Sequence, residues 1–464
     1  MLAAALLLLI PLGSFQQEEA EEPTLYGRAT AFRVDRIETL DGETLENATL
    51  VVRDGVIEKM GSAVLIPEQA EVHDLRGRGA TILPPLVFSH ANFLVEDNRR
   101  RGKYGRFRAV DSVRDPQDSL QELLEEGILL VGVDPPGSGV AGRTSVMTTA
   151  GEDGFEVLVR DLHLKMTLDV NSSAKELIRS SLKAADQAIE KEKKAKEEWQ
   201  KARKAWEEKQ KAKQEAAKKE AEKKGKEGEQ GKPESSGGNG DKDKPKGGKE
   251  EDKEPPKEFV PPKIDPNLVP VVEWIRQERL VQIWLDNASE WIHWVDLLGD
   301  RELPYEVVLR HSSWSSLPTQ DFHEVLEEIQ DAGVRVYVPA VLTAPPYTRY
   351  QVNLPADLAA GGSSLVLLPR NLSLRGVREW RVGLADLVRE GMDRQTLLKA
   401  ISTEAAAALG HEEMVAPLKV GGPATFTVFG GDVLDPVSKV DFVVRDGHVV
   451  YDRKKEEEKK EGSR

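Results

Sequence analysis

Apolar positions along the chain fall into two kinds of run. GILLVGVD (127–134), EVLVRDLHLKM (156–166), LVQIWLD (280–286), YEVVLRHSS (305–313), VRVYVPAVL (334–342) and SSLVLLP (363–369) are short and almost continuous, the pattern of buried strands. DSLQELLEEG, DFHEVLEEIQDAG and RVGLADLVREGMDRQTLLKAISTEAAAALG place apolar residues at helical spacing. The first two of these close on glycine, as helix C-termini favour. Strands alternating with amphipathic helices predict a parallel α/β arrangement. The strand count fits a (β/α) barrel with its site at the strand C-terminal ends.

The two ends of the chain read differently. TLVVRDGVIEKMG puts β-branched residues on both sides of Asp54-Gly55, and VDFVVRDGHVVYD repeats the pattern around Asp446-Gly447. Each Asp-Gly pair signals a tight hairpin. The repetition predicts one small β-domain built from both ends; two unrelated surface hairpins are the alternative. From 174 to 262 a different text intervenes. Its first half lacks glycine and proline and is dominated by Ala, Glu and Lys, which predicts helix. Trp199 and Trp206 are seven apart and share a face, which docks on a partner or on the body, or else covers the helix's own surface. After Gly225 the composition turns to Gly, Lys, Glu, Pro and Ser, too poor in apolar groups to order. The predicted organisation is a leader over 1–22, β-domain over 23–80 and barrel over 81–173. The insertion over 174–262, barrel over 263–410, β-domain over 411–453 and a solvated charged tail over 454–464 follow.

Charge sharpens this picture. Residues 191–260 hold 22 Lys+Arg and 18 Asp+Glu, which leaves 43 basic against 62 acidic residues in the remainder. So acidic a body argues against nucleic acid as partner. The start, MLAAALLLLIPLGSFQQ, has an apolar run too short to span a membrane, which takes about 20 residues. With Gly13 and Ser14 near a cleavage point it reads as the core of a secretory signal, hence an exported protein without a membrane span in its mature form; no Lys or Arg precedes the run, and a frayed cytosolic terminus is the alternative. No cysteine is present, which removes disulfides and thiolate metal sites.

Several stretches resemble the amidohydrolase superfamily, in particular its imidazolonepropionase-like and prolidase-like branch. They are GATILPPLVFSHANF, EEGILLVGVDPPGSGVAGRTSVMTTAG and, most specifically, the closing stretch from Leu397 to Asp452 with Asp432-Val433-Leu434-Asp435-Pro436 inside it. The resemblance covers about 25–170 and 264–452. It implies a distorted TIM (β/α)8-type barrel plus a small composite β-domain, interrupted by a Lys/Glu-rich helical and disordered insertion.

It also implies chemistry: hydrolysis of C–N bonds by a divalent metal such as zinc, which activates water. The family's ligands are His-x-His on the first strand, one His each on the fifth and sixth, and Asp on the eighth. Here the first strand ends in His90-Ala91-Asn92, and Asn is a weak ligand. The fifth-strand position offers Trp284 and Asp286, with His293 further on in an apparent helix; the sixth offers His311. Pro369-Arg370-Asn371 stand where the acid belongs, and an arginine there repels a metal. His90 and His311 remain as metal candidates, each also readable as a hydrogen-bonded relic. Lys165 is a further candidate, for a carbamate bridge. His73, His163, His323, His411 and His448 read as surface residues, and Asp134-Pro135-Pro136-Gly137 as a loop former. Two imidazoles without a carboxylate favour a non-catalytic exported binding or assembly protein, compatible with a homo-oligomer, whose small-molecule or protein partner the sequence does not name. The alternative is an active metal-dependent hydrolase of cyclic amides or related bonds.

Overall fold

The computed structural model describes residues 28–96, 101–151, 154–169, 172–224, 255–311 and 318–462. The apolar leader 1–22 and the Gly/Lys/Pro-rich stretch after Gly225 up to 254 lie outside the described residues. The fold is mixed α/β with several sheets, and the chain divides into two compact units.

Unit 1 joins the two ends of the chain, 1–85 and 413–464. One sheet runs in the order Val56–Gly61, Thr49–Arg53, Thr30–Arg33, Glu71–Asp74. In the other, Thr81–Leu83 pairs with Phe426–Phe429 on one side and Arg36–Glu38 on the other. Phe32, Ile37, Leu50, Ile57, Phe426 and Phe442 share one buried cluster. Both predicted hairpins form, with Asp54, Gly55, Asp446 and Gly447 all at positive φ, as tight turns of the primed type require. The two turns abut. A Cβ on Gly447 would lie 2.8 Å from Gly55 Cα, so nothing larger fits at the meeting point. The charged end forms an exposed helix, Arg453–Gly462, anchored where Arg453 Nε donates to Asp441 Oδ1 at 2.9 Å.

Unit 2, residues 86–412, holds the predicted alternation. Leu164–Thr167, Val281–Leu285, Tyr305–Leu309, Val336–Pro339 and Leu365–Leu368 pair in that order, each parallel to the next. Leu86–Phe88 lies parallel to Ile128–Val133 in a separate sheet. All of these strands are buried except at Tyr305, which is why they read as almost continuous apolar blocks. EVLVRDLHLKM is not one strand but two, Gly154–Val159 and Leu164–Thr167, in different sheets. The corner between them is charged: Asp161 pairs with Arg143 and, at 2.7 Å, with Arg279. The long helical text after 381 is likewise three helices, Leu374–Arg389, Arg394–Ala400 and Thr403–Ala408. Gly391 at φ 99° breaks the first, and Asp393 caps the second by accepting from Thr396 N at 2.8 Å.

The Ala/Glu/Lys-rich text forms one helix, Ser172–Lys224. Its first turns bury Ala174, Ile178, Leu182 and Ala185, one face at spacings of three and four. Beyond them, Asp186 meets Arg301 at 2.7 Å and Glu192 meets Arg276 at 2.8 Å. Trp199 packs on the chain's own returning segment rather than only on its helix. Its indole N–H donates to the Pro256 carbonyl at 2.8 Å, and its ring lies 6.0 Å from that of Phe259 on the returning chain.

Candidate functional site

Polar side chains at alternate positions of the parallel strands of unit 2 meet on one face, because the strand period is two. Lys165, Gln282 and Glu306 stand side by side in the register of three neighbouring strands. All three are buried, as are His90, just past Leu86–Phe88, and Asp134, just past Ile128–Val133.

The deepest part is a hydrogen-bonded chain. His90 Nδ1 lies 3.0 Å from Ser89 Oγ and its Nε2 lies 3.3 Å from Gln282 Oε1. Gln282 Nε2 donates to Tyr337 Oη at 2.9 Å, and the Tyr337 hydroxyl donates to Glu306 Oε2 at 2.6 Å. Arg335 closes the chain on Glu306 at 2.7 Å. The His90 ring meets the rings of Trp284 and Tyr337 edge-on, at 5.1 and 4.9 Å. Burial lowers His90 to about 4, with Asp134 opposing the fall and Lys165 adding to it.

Beside it sits an ion pair. Lys165 Nζ donates to Asp134 Oδ2 and lies 3.7 Å from the centre of the Trp284 ring. Burial pulls the Lys165 ammonium below its ordinary value, and Asp134 holds it up. Asp134, read from sequence as part of a loop former, is therefore a structural member of the site. The signal for Lys165, Gln282 and Glu306 was present in the sequence as one polar residue inside an apolar strand. Asp134 had none, because Pro135 and Gly137 next to it explain a turn by themselves.

Above the pair is a cavity of about 330 Å³, lined by Asn92, Trp284, Arg310, His311, Arg370 and Asn371 among others. So the structure does bring His311, Asn92 and the Pro369-Arg370-Asn371 stretch together around Trp284, while His90 lies in the hydrogen-bonded chain. Arg310 Nε is paired with Asp286 at 2.6 Å. Burial, with Arg370 adding to it, lowers His311 to about 4, so its ring is neutral at pH 7. The other histidines are scattered. His293 is in the helix Ala288–Leu298, beside Lys175 at 2.9 Å, and His323 and His448 are exposed. His73 is half-buried against Phe32, and His411 is half-buried. His163 departs from the expected surface position: it is buried, its backbone tied to Thr144 in both directions, and burial lowers it to about 4.

A zinc-like cation takes three or more imidazole, carboxylate or thiolate ligands and keeps a place for water. Here Asp134 already carries an ammonium, His90 Nε2 faces an amide, and two guanidinium groups line the cavity. That donor set does not suit such a cation, and among the described residues no three His, Asp or Glu are grouped to hold one.

His90 also makes stability pH-dependent. Its folded value of about 4 lies below the ordinary 6.5, so over that window the unfolded chain takes up a proton that the folded chain refuses. The contribution is full above about 6.5 and is lost as pH falls towards 4, by roughly 3 kcal/mol. Urea unfolding of wild type and His90→Gln at pH 7 and at pH 4 should show the wild type losing that much more. Parallel pH profiles would contradict the assignment.

Comparison with sequence families and with curated proteins finds no match. Among solved structures the chain is similar to an amidohydrolase from Thermotoga maritima MSB8, at 18% identity and a TM-score of 0.61, over 91% of this chain and 100% of that one. It is also similar to a prolidase complexed with N-methylphosphonate-L-proline, at 14% identity and a TM-score of 0.47 over 91% and 100%. A beta-aspartyl dipeptidase from Fervidobacterium islandicum AW-1 gives 10% and 0.47 over 92% and 97%.

Proposed function

We propose that this chain, whose fold is that of the amidohydrolase superfamily, is a non-catalytic exported binding protein rather than a metal-dependent hydrolase. On this reading the strands of unit 2 are a distorted (β/α)8-type barrel that keeps its strand-end pocket and has lost the metal chemistry. The observation that carries the reading is the Lys165–Asp134 pair. An internal ammonium neutralises a strand-end carboxylate, next to a histidine whose Nε2 faces Gln282. With Asp134 held by an ammonium and His90 Nε2 turned to an amide, neither is placed to take a proton from water. Export rests on the apolar leader alone.

The competing reading is an active hydrolase of cyclic amides or related C–N bonds. Favouring it is His311, whose Nε2 is buried without a partner among the described residues. Metal analysis separates the two. The purified protein is expected to carry far less than one zinc per chain and to show no rise in Tm on adding zinc. Stoichiometric zinc, with a Tm that climbs with its concentration as mass action requires, would overturn the non-catalytic reading.

A further inference from the structure

We infer that the cavity above Trp284 is a binding site for a small organic carboxylate with an apolar body. The inference rests on the non-metal reading of the same strand ends and adds the ligand's chemical class.

Four observations converge. Arg310 and Arg370 both line the cavity, and among the described residues no carboxylate does. Arg310 is met by Asp286 at 2.6 Å, whereas Arg370 makes no ion pair among the described residues and is exposed at the cavity. The pocket therefore presents one uncompensated guanidinium, a fork that matches a carboxylate. Trp284 lines the cavity and is 3% exposed, and its indole N–H is a buried donor without an acceptor among the described residues. The amides of Asn92 and Asn371 line the same space.

The 16-residue helix Leu374–Arg389 begins at this cavity, since its N-cap Ser373 is part of the lining. A helix start carries partial positive charge and adds to the attraction of an anion. Val308 and Leu368 supply an apolar wall. A cavity of about 330 Å³ is at the small end of ligand pockets, which fits one charged group on a short apolar stem. A single free guanidinium suits a monoanion better than a phosphate dianion.

The test is calorimetric titration of the full chain at pH 7 and low salt with 4-phenylbutyrate, its neutral amide and inorganic phosphate. The carboxylate is expected to bind with Kd below about 1 mM and the amide at least about tenfold more weakly. Arg370→Ala should weaken carboxylate binding about tenfold or more, and Arg370→Lys by less. Arg375→Ala, on the adjoining helix but paired with Glu379 at 2.8 Å, should leave it unchanged. Equal binding of acid and amide, an unaffected Arg370→Ala of normal Tm, absence of carboxylate binding, or binding of phosphate alone would each overturn the assignment. Zinc content read on the same samples keeps the two proposals apart. Failure of binding in zinc-free protein sinks only the carboxylate site, whereas binding that requires bound zinc and vanishes with EDTA sinks the non-metal reading.

Discussion

Lys165→Met is expected to cost about 3–5 kcal/mol of unfolding free energy, among the largest losses any single substitution in unit 2 should cause. Methionine fills much of the same buried space but removes the charge, and with it the ammonium over the Trp284 ring, leaving the Asp134 carboxylate buried and unpaired. The other oxygen, Asp134 Oδ1, has no hydrogen-bond partner among the described residues, so nothing else there shares the burden. The pair itself contributes little net, since desolvating two charges offsets most of their attraction. Lys165→Met with Asp134→Leu should therefore recover most of the loss, within about 1 kcal/mol of wild type. Urea unfolding of the single and double variants measures both. A single variant as stable as wild type would show that the two groups are not a buried pair.

Gly132→Ala is the second large effect. A Cβ there would fall 2.0 Å from the Ser89 carbonyl oxygen, a backbone atom that cannot swing aside. The Gly132 carbonyl also accepts from Ala91 N at 2.7 Å, so the strand and the His90 segment are fastened at this point. Adding one methyl must separate them. The cost should be roughly 3 kcal/mol or more, with loss of the His90–Gln282 contact. In an NMR titration, the His90 ring should then titrate nearer its ordinary 6.5 as water reaches it. An alanine variant of unchanged stability and unchanged His90 titration would rule out this close approach.

Much of this architecture was legible in the sequence, for identifiable reasons. The parallel strands are buried on both faces, so their residues are apolar without alternation and stand out as blocks. The Asp-Gly turns betray themselves because few residues tolerate positive φ twice in succession. Helix breaks were harder: Gly391 was visible, but periodicity continues across it, and only the Asp393 cap decides the boundary. The corner at Asp161 was hidden for the opposite reason, since arginines distant in sequence stabilise it.

The site was legible only in part. His90, His311 and Arg370 could be placed at strand ends by resemblance, which gave a tally of ligands. What the tally could not supply is partnership: Lys165 to Asp134, Gln282 to His90 and Tyr337 to Glu306 join residues from different strands. Each looks like an isolated polar residue until the register brings it beside its neighbour.

The abutting turns of unit 1 bear on how the chain comes to be folded. Leu83 and Thr427 are register partners separated along the chain by the whole of unit 2, and Gly55 meets Gly447 across the same interval. Until Phe426–Phe429 leaves the ribosome, Thr81–Leu83 lacks one neighbour and the Phe32–Phe426 contact does not exist. Unit 2, with all its sequence between those partners, can mature first, while the early hairpin waits with an open edge that invites pairing with another nascent chain. The Val440–Asp452 hairpin is thus a clasp that closes only after unit 2 has been made, so a chain stopped before Phe426 would leave that sheet open.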